Sequence, residues 1–229
     1  MKFEFNEKNH RYTLDGKPLT GVTTVLGVIA KPALIQWSAN MAVDYILENG
    51  IESAEEARKA HCRKRDESAE LGTDVHAECE KYVLECIANG GEAMLTPHEN
   101  KQVQHFIDWA TKNKVKFLES EKRVYDAELW IAGTFDGLCE IDGKKFIFDI
   151  KTSKAIWKEA FYQMGAYVMM YEKMENEKID GTFVIRLGKD EKFNEEKDVQ
   201  FRYDLETDKK AFLSALTLYR ANSTFVQKR

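Results

Sequence analysis

Cysteine is scarce in this chain of 229 residues, and its four copies are poorly placed for metal binding. Cys62, Cys79, Cys86 and Cys139 include no Cys-x-x-Cys pair, and the last 90 residues hold none. That spacing argues against a zinc or iron–sulfur site and for reduced, structural thiols. Long apolar runs are also missing. No stretch of about 18 apolar residues could span a bilayer, and residues 1–6 lack the apolar core of a secretory signal. A cytoplasmic protein with no membrane partner is therefore expected. Positive charge is not in excess either, since the formal net charge is −5. That weighs against a broad basic surface for duplex DNA but leaves room for local basic patches. No Gly-x-x-x-x-Gly-Lys-Ser/Thr string occurs, so a helicase-type nucleotide loop is excluded. Repeats and low-complexity linkers are absent, and the length suits one domain with a substantial core.

The order of elements is legible from periodicity. Tyr12–Leu14 followed by Asp15-Gly16 reads as a hairpin within residues 1–19. Thr23 or Thr24 is placed to cap a helix starting near Val25. Lys31-Pro32 breaks that helix, and a second one is expected from Pro32 to Leu47. Residues 52–89 are helical and charged, with an apolar stripe of Leu71, Val75, Cys79, Tyr82, Val83 and Cys86. Gly90-Gly91 ends that helix, and Pro97 opens the next. Over residues 122–151 the period shortens to that of strands, with Leu129 and Trp130 read into the first of them. Helix returns over 156–174, strands over 180–187 and 199–205, and a closing helix over 207–221. The expected fold class is α/β or α+β, a small mixed sheet flanked by helices with a helical N-terminal half. Residues 1–120 would form its N-terminal part and 121–229 the sheet and its flanking helices.

The most informative stretch runs from Gly133 to Ser153. Asp142-Gly143 at its centre is a favoured pair for a two-residue type I′ turn. With the turn there, Ile141 faces Lys144, and counting back brings Asp136 opposite Asp149. Directly opposed residues share a face with Cβ atoms about 4.5–5.5 Å apart, and like charges so placed need a positive group between them. Parity sends Phe146, Phe148 and Ile150 to a core face and Ile147, Asp149 and Lys151 to the other. Two carboxylates with waters and phosphate oxygens suit Mg²⁺, and the lysine beside them can offset phosphate charge. The plainer alternative is a pair of solvated edge carboxylates neutralised by Lys151.

Other side chains could support such a site. His76 borders the apolar stripe, and Glu80 lies one turn on. Gln163 and Tyr167 are one turn apart on the helix after the hairpin. Basic residues cluster at Arg58, Lys59, Arg63, Lys64 and Arg65, where interspersed acids favour a solvated helix face. Further lysines are Lys112, Lys114 and Lys116, then Lys154 and Lys158. Trp37, Trp109, Trp130 and Trp157 could stack bases, although a tryptophan is more often core.

Taken together, four ordered motifs resemble the PD-(D/E)XK nuclease superfamily in its RecB-like branch. They are Gly72–His76 with Glu80, Gly133-Thr134-Phe135-Asp136, Asp149-Ile150-Lys151-Thr152-Ser153, and Gln163-Met164-Gly165-Ala166-Tyr167. Val22–Leu26 followed by Lys31-Pro32, Leu34 and Trp37 is similar to the entry segment of phage exonucleases and of the mitochondrial genome maintenance exonuclease. The resemblance covers residues 20–175. It implies a restriction-endonuclease-like core and Mg²⁺ or Mn²⁺, one or two ions, held by His76, Asp136, Asp149 and the Ile150 carbonyl. Lys151 would position the attacking water, Gln163 and Tyr167 would act at the phosphate, and Glu80 would assist. Some relatives carry an iron–sulfur cluster built on three C-terminal cysteines; these are absent here, so no cluster is expected. The implied activity is exonucleolytic cleavage of DNA with a free end, in phage or bacterial recombination, repair or degradation, alone or beside a recombination or replication protein. The rivals are a structure-specific endonuclease on the same fold and a catalytically silent DNA-binding protein.

Overall fold

A computed structural model describes residues 1–189 and 192–226, without the side chains of 68–71 and 224–226. Leu71 of the anticipated stripe thus lies outside the described residues. The chain divides into two compact units, one of Met1–Val28 with Ala77–Arg229 and one of Ile29–His76. The larger unit runs across residue 120, because the N-terminal hairpin and the residues from Ala77 onward group with the sheet.

The larger unit begins with β1 (Phe3–Asn6), β2 (Arg11–Leu14) and β3 (Lys17–Pro18), a three-stranded antiparallel sheet. Asp15 and Gly16 turn it with φ of +48° and +75°, the left-handed pair that a type I′ hairpin requires. Next, β4 (Thr20–Gly21) leads straight into α1 (Val22–Leu26). Neither Thr23 nor Thr24 caps that helix. Gly21, still extended and paired to Ala132, occupies the cap position and has no side chain to offer the helix.

The smaller unit holds α2 (Pro32–Asn49), a 3₁₀ turn at Ile51–Ser53, and α3 (Ala54–Ala57). Then α4 (Ala60–Ala88) starts in the smaller unit and ends in the larger. The charged stretch is therefore broken near Arg58-Lys59. Each of the five clustered basic residues has an acidic partner: Glu55 for Arg58, Glu56 for Lys59 and Arg63, Glu67 for Lys64 and Asp66 for Arg65. These are solvated pairs that add little stability.

Gly90 and Gly91 end α4 with φ of +101° and +94°. The next helix, α5 (Lys101–Lys112), is opened by Asn100 rather than Pro97, since the Asn100 side chain accepts from Gln102 N at 2.9 Å. Its buried face is Val103, Phe106, Ile107, Trp109 and Ala110.

The main sheet follows with β5 (Lys116–Asp126), β6 (Ile131–Ile141) and β7 (Lys144–Lys151). Strand β5 starts earlier than anticipated. Leu129 and Trp130 fall in the turn after it, where Asp126 accepts from Glu128 N and Leu129 N and Trp130 takes φ +51°. Then α6 (Lys158–Glu175) carries the chain to β8 (Gly181–Arg186), which lies parallel to β7. A short α7 (Glu195–Asp198), the edge strand β9 (Val199–Arg202) and α8 (Leu205–Val226) complete the chain. The sheet order is β4-β6-β7-β8-β9, with β5 also paired to β6.

The architecture is a mixed α/β fold with a helical N-terminal half. Phe106 and Trp109 of α5 pack against Phe148 and Phe183 on one face of the sheet. On the other face, Tyr167 and Tyr171 of α6 pack against Phe135. With both faces covered, β7 is buried from Phe146 to Ile150, so the face bearing Asp149 is not the solvated one that simple alternation suggests. No described helix is long and apolar enough to cross a membrane.

Candidate active site

The hairpin between β6 and β7 turns where the sequence indicates. Asp142 and Gly143 take φ of +50° and +74°, and Ile141 pairs with Lys144. The register runs back to Gly137 opposite Phe148 and ends there. One step further, where Asp136 and Asp149 would meet, the Asp136 Oδ2 accepts from Ile150 N at 2.6 Å. A carboxylate thus takes a backbone donor that a strand partner would otherwise hold.

The topology explains the gap. Strand β5 occupies one edge of β6 along nearly its whole length. The other edge is shared, with β4 at Ile131 and Ala132 and β7 from Gly137 onward. Gly133, Thr134 and Asp136 lie on the stretch between them. A cavity of about 530 Å³ opens there, lined by Thr20, Gly133, Thr134, Asp136, Gln163 and Tyr167 among others.

Asp149 is 2% exposed and lies 2.6 Å, Oδ2 to Nζ, from Lys151. That oxygen accepts no well-directed hydrogen bond, so the contact is an ion pair rather than a shaped acceptor site. Burial pulls the Lys151 pKa down, but the Asp149 and Asp136 charges outweigh it and hold the ammonium above an ordinary lysine. Lys151 is therefore a standing positive charge at neutral pH and not a general base.

Gln163 and Tyr167 project from α6 toward this point, and Gln163 Nε2 donates to the Tyr167 hydroxyl at 2.7 Å. Burial above all, opposed by the Gln163 bond and aided by the charges of Asp149 and Asp136, holds the phenol well above its usual range. Tyr167 stays neutral and keeps its own O–H proton to donate. Its ring lies so close to β6 that a Cβ on Gly133 would stand 2.5 Å from its Cε1. At Gly165, the backbone of Asp208 and Lys209 in α8 would meet a Cβ at 2.6 Å. Gly133 and Gly165 are thus two places where a strand and a helix approach too closely for a side chain.

Glu121 joins this group, and the sequence reading missed it. Ser120 pairs with Gly137 and Lys122 with Phe135, so Glu121 comes abreast of Asp136 on the other side of β6. Its side chain is still open to solvent, yet partial desolvation first, then the charges of Asp136, Glu80 and Asp149, push the carboxyl up to about 7 against the opposing pull of Arg123. Applying to the turn before β6 the same opposite-pair count used for the second hairpin would have found it. That count needed Leu129 and Trp130 to be read as turn. Tyr12 is also part of the wall, its hydroxyl 2.8 Å from Thr134 Oγ1.

Glu80 is brought to the site by α4, close enough to act on Glu121. His76 lies one turn earlier on the same helix, half-buried, at the end of the smaller unit. Trp109 is buried in the core and Trp130 Nε1 donates to the Pro18 carbonyl, whereas Trp157 is exposed.

The carboxylates fit a hard divalent cation: they offer oxygens, they bring several negative charges together, and the buried Asp149 oxygen is met by the Lys151 ammonium rather than by a directed hydrogen bond. Among the described residues no three His, Cys, Asp or Glu side chains already form a cage. The two aspartates are held instead by Lys151 and by the Ile150 N–H.

No family model matches the chain, and no curated protein matches it. A solved structure titled "Crystal structure of SSO0001" is 15% identical, over 86% of this chain and 75% of its own, with a TM-score of 0.37. At that level the likeness carries no argument about activity.

Proposed function

We propose that this protein is a divalent-metal-dependent DNA nuclease of the PD-(D/E)XK kind, in the RecB-like branch, and that it acts on strand ends. One observation carries the reading. At a break in the sheet, Asp149 is paired with Lys151 at 2.6 Å, Asp136 is bonded to the Ile150 N–H between them, and Glu121, Gln163 and Tyr167 line the same cavity as Asp136. A purely structural pair of acids would not need further carboxylates gathered beside it.

In this mechanism Asp136, Asp149 and the Ile150 carbonyl hold Mg²⁺ or Mn²⁺, with His76 as a further ligand and Glu80 and Glu121 as nearby negative charge. The bound ion supplies Lewis acidity toward a phosphoryl oxygen and a lowered pKa for the attacking water. Lys151 keeps its proton and offsets charge that develops on the phosphate, an effect worth a factor of about 10²–10³ for a single well-placed donor. Tyr167, oriented by Gln163, offers its O–H to a phosphate oxygen. Asp136 is fixed by the Ile150 N–H, which ties it to the strand that carries Asp149 and Lys151.

The test is digestion of 5′- and 3′-labelled single- and double-stranded DNA in Mg²⁺ and in Mn²⁺, with covalently closed single-stranded circles as controls. Labelled ends consumed while circles survive is the expected result. Cut circles would replace the exonuclease with a structure-specific endonuclease, and no cleavage under any metal would overturn the reading.

A further inference from the structure

The cavity at the gap in the sheet has two unlike sides. Its floor is acidic or neutral, formed by Glu121, Asp136 and Tyr167, while the N-terminal hairpin contributes His10 and Arg11. These two are the only residues lining it, among those described, that can carry positive charge. Arg11 is exposed and makes no ion pair among the described residues. Its neighbours are firmly placed. Tyr12, Leu14, Leu19 and Ala132 form a buried cluster with Phe3, Phe5 and Trp130 against it. The Tyr12 hydroxyl is bonded to Thr134, two residues before Asp136. The hairpin is therefore a fixed wall of the site, and it carries an uncommitted guanidinium.

We propose that the hairpin is the cationic half of the substrate cradle, where Arg11, assisted by His10, holds a backbone phosphate of a single DNA strand next to the scissile one. The inference rests on the nuclease reading and adds to it a substrate contact and a strand preference. A polyanion approaching several carboxylates in a protein of net charge −5 needs a local positive anchor. Arginine suits phosphate because its planar fork bonds two oxygens at once. The cavity, about 530 Å³, is in the range of pockets that enclose one small molecule and has room for one unpaired nucleotide.

Arg11→Ala, Arg11→Lys and wild type are to be compared by anisotropy of a fluorescein-labelled single-stranded oligothymidylate in Ca²⁺, at several salt concentrations. Steady-state cleavage in Mg²⁺ accompanies the binding. Arg11→Ala is expected to weaken binding about tenfold, the scale of one charge-assisted hydrogen bond. It should also flatten the slope of log affinity against log salt by about 0.7, one single-strand phosphate contact. KM should rise far more than kcat falls, and Arg11→Lys should restore the salt slope but only part of the affinity. A thermal midpoint equal to wild type in all three separates this role from a structural one. Unchanged affinity and salt slope in Arg11→Ala would overturn the inference even if wild type cleaves DNA. Binding that depends on Arg11 in a protein that never cleaves would keep the inference and remove the nuclease reading. No binding by wild type would remove both.

Discussion

The Lys151 ammonium sits 2.6 Å from an oxygen of Asp149, a carboxylate whose side chain is 3% exposed. The two residues occupy alternate positions at the end of β7 and point to the same side of the sheet. The pair has two functions that mutation can separate. Lys151 stabilises the buried charge of Asp149, and in the proposed reaction it also offsets phosphate charge. Lys151→Ala leaves a buried carboxylate without its counter-ion, so a loss of about 2 kcal/mol or more in urea unfolding is expected. Cleavage should fall by at least about 100-fold. Mn²⁺ should return part of the lost stability, because a ligand that binds only the folded state stabilises it. Asp149→Asn removes the buried charge itself. It should fold close to wild type and be inactive. Wild-type cleavage in either variant would remove these residues from the active site.

Glu121 makes the stability of the protein depend on pH. Its carboxyl is raised to about 7 in the folded state from an ordinary value of 4.5. The folded form therefore binds the proton more tightly than the unfolded one. The resulting stabilisation is fully present below about pH 4.5 and is lost as pH rises through about 7. Glu121→Gln should leave the unfolding midpoint nearly unchanged at pH 4.5 and raise it relative to wild type at pH 8. A gain of the same size at both pH values would show that the carboxyl is not raised in the folded state. A divalent cation at pH 8 should narrow the difference, since it relieves the same repulsion.

Much of this site is local enough to be read from the sequence. Asp142-Gly143 dictates a turn through its backbone preferences, and the turn alone fixes which residues of β6 and β7 come abreast. The Gln163–Tyr167 pair follows from helical spacing. What escaped was set by tertiary contact. Glu121 enters the site because β5 pairs along β6 from Lys116, and the apolar residues Leu129 and Trp130 resemble a strand although Asp126 folds them into a turn. Burial of both faces of β7 also depends on α5 and α6 packing from opposite sides, which no period-two pattern encodes. The helix caps at Gly21 and Asn100 differ from those anticipated because a paired strand and an available side chain decided them.

The role of His76 as a metal ligand separates from a structural one by calorimetry. If it is a metal ligand, His76→Ala should shift the Mn²⁺ titration followed by calorimetry to weaker binding while the unfolding midpoint without metal changes little. Cleavage at saturating Mn²⁺ should recover more fully than in Asp149→Asn, because one ligand of several has been lost rather than a central carboxylate. Superimposable Mn²⁺ isotherms for variant and wild type would assign His76 a structural role.

The two glycines in contact with the α6 machinery should differ in how much they tolerate. A methyl at Gly133 meets the Tyr167 ring edge at 2.5 Å. A side chain can move, so Gly133→Ala is expected to cost about 1–3 kcal/mol and to lower kcat by displacing the phenol. In a Tyr167→Leu background the same substitution should cost much less, a coupling that a double-mutant cycle reads directly. At Gly165 the obstacle is the backbone of Asp208 and Lys209, at 2.6 Å for both the Asp208 carbonyl carbon and the Lys209 nitrogen. Backbone cannot rotate away, so Gly165→Ala must push α6 and α8 apart. It should lower the unfolding midpoint more than Gly133→Ala does, and no single side-chain truncation nearby should rescue it. Equal losses at the two positions, or rescue of Gly165→Ala by trimming one side chain, would show that α6 and α8 are not in backbone contact there.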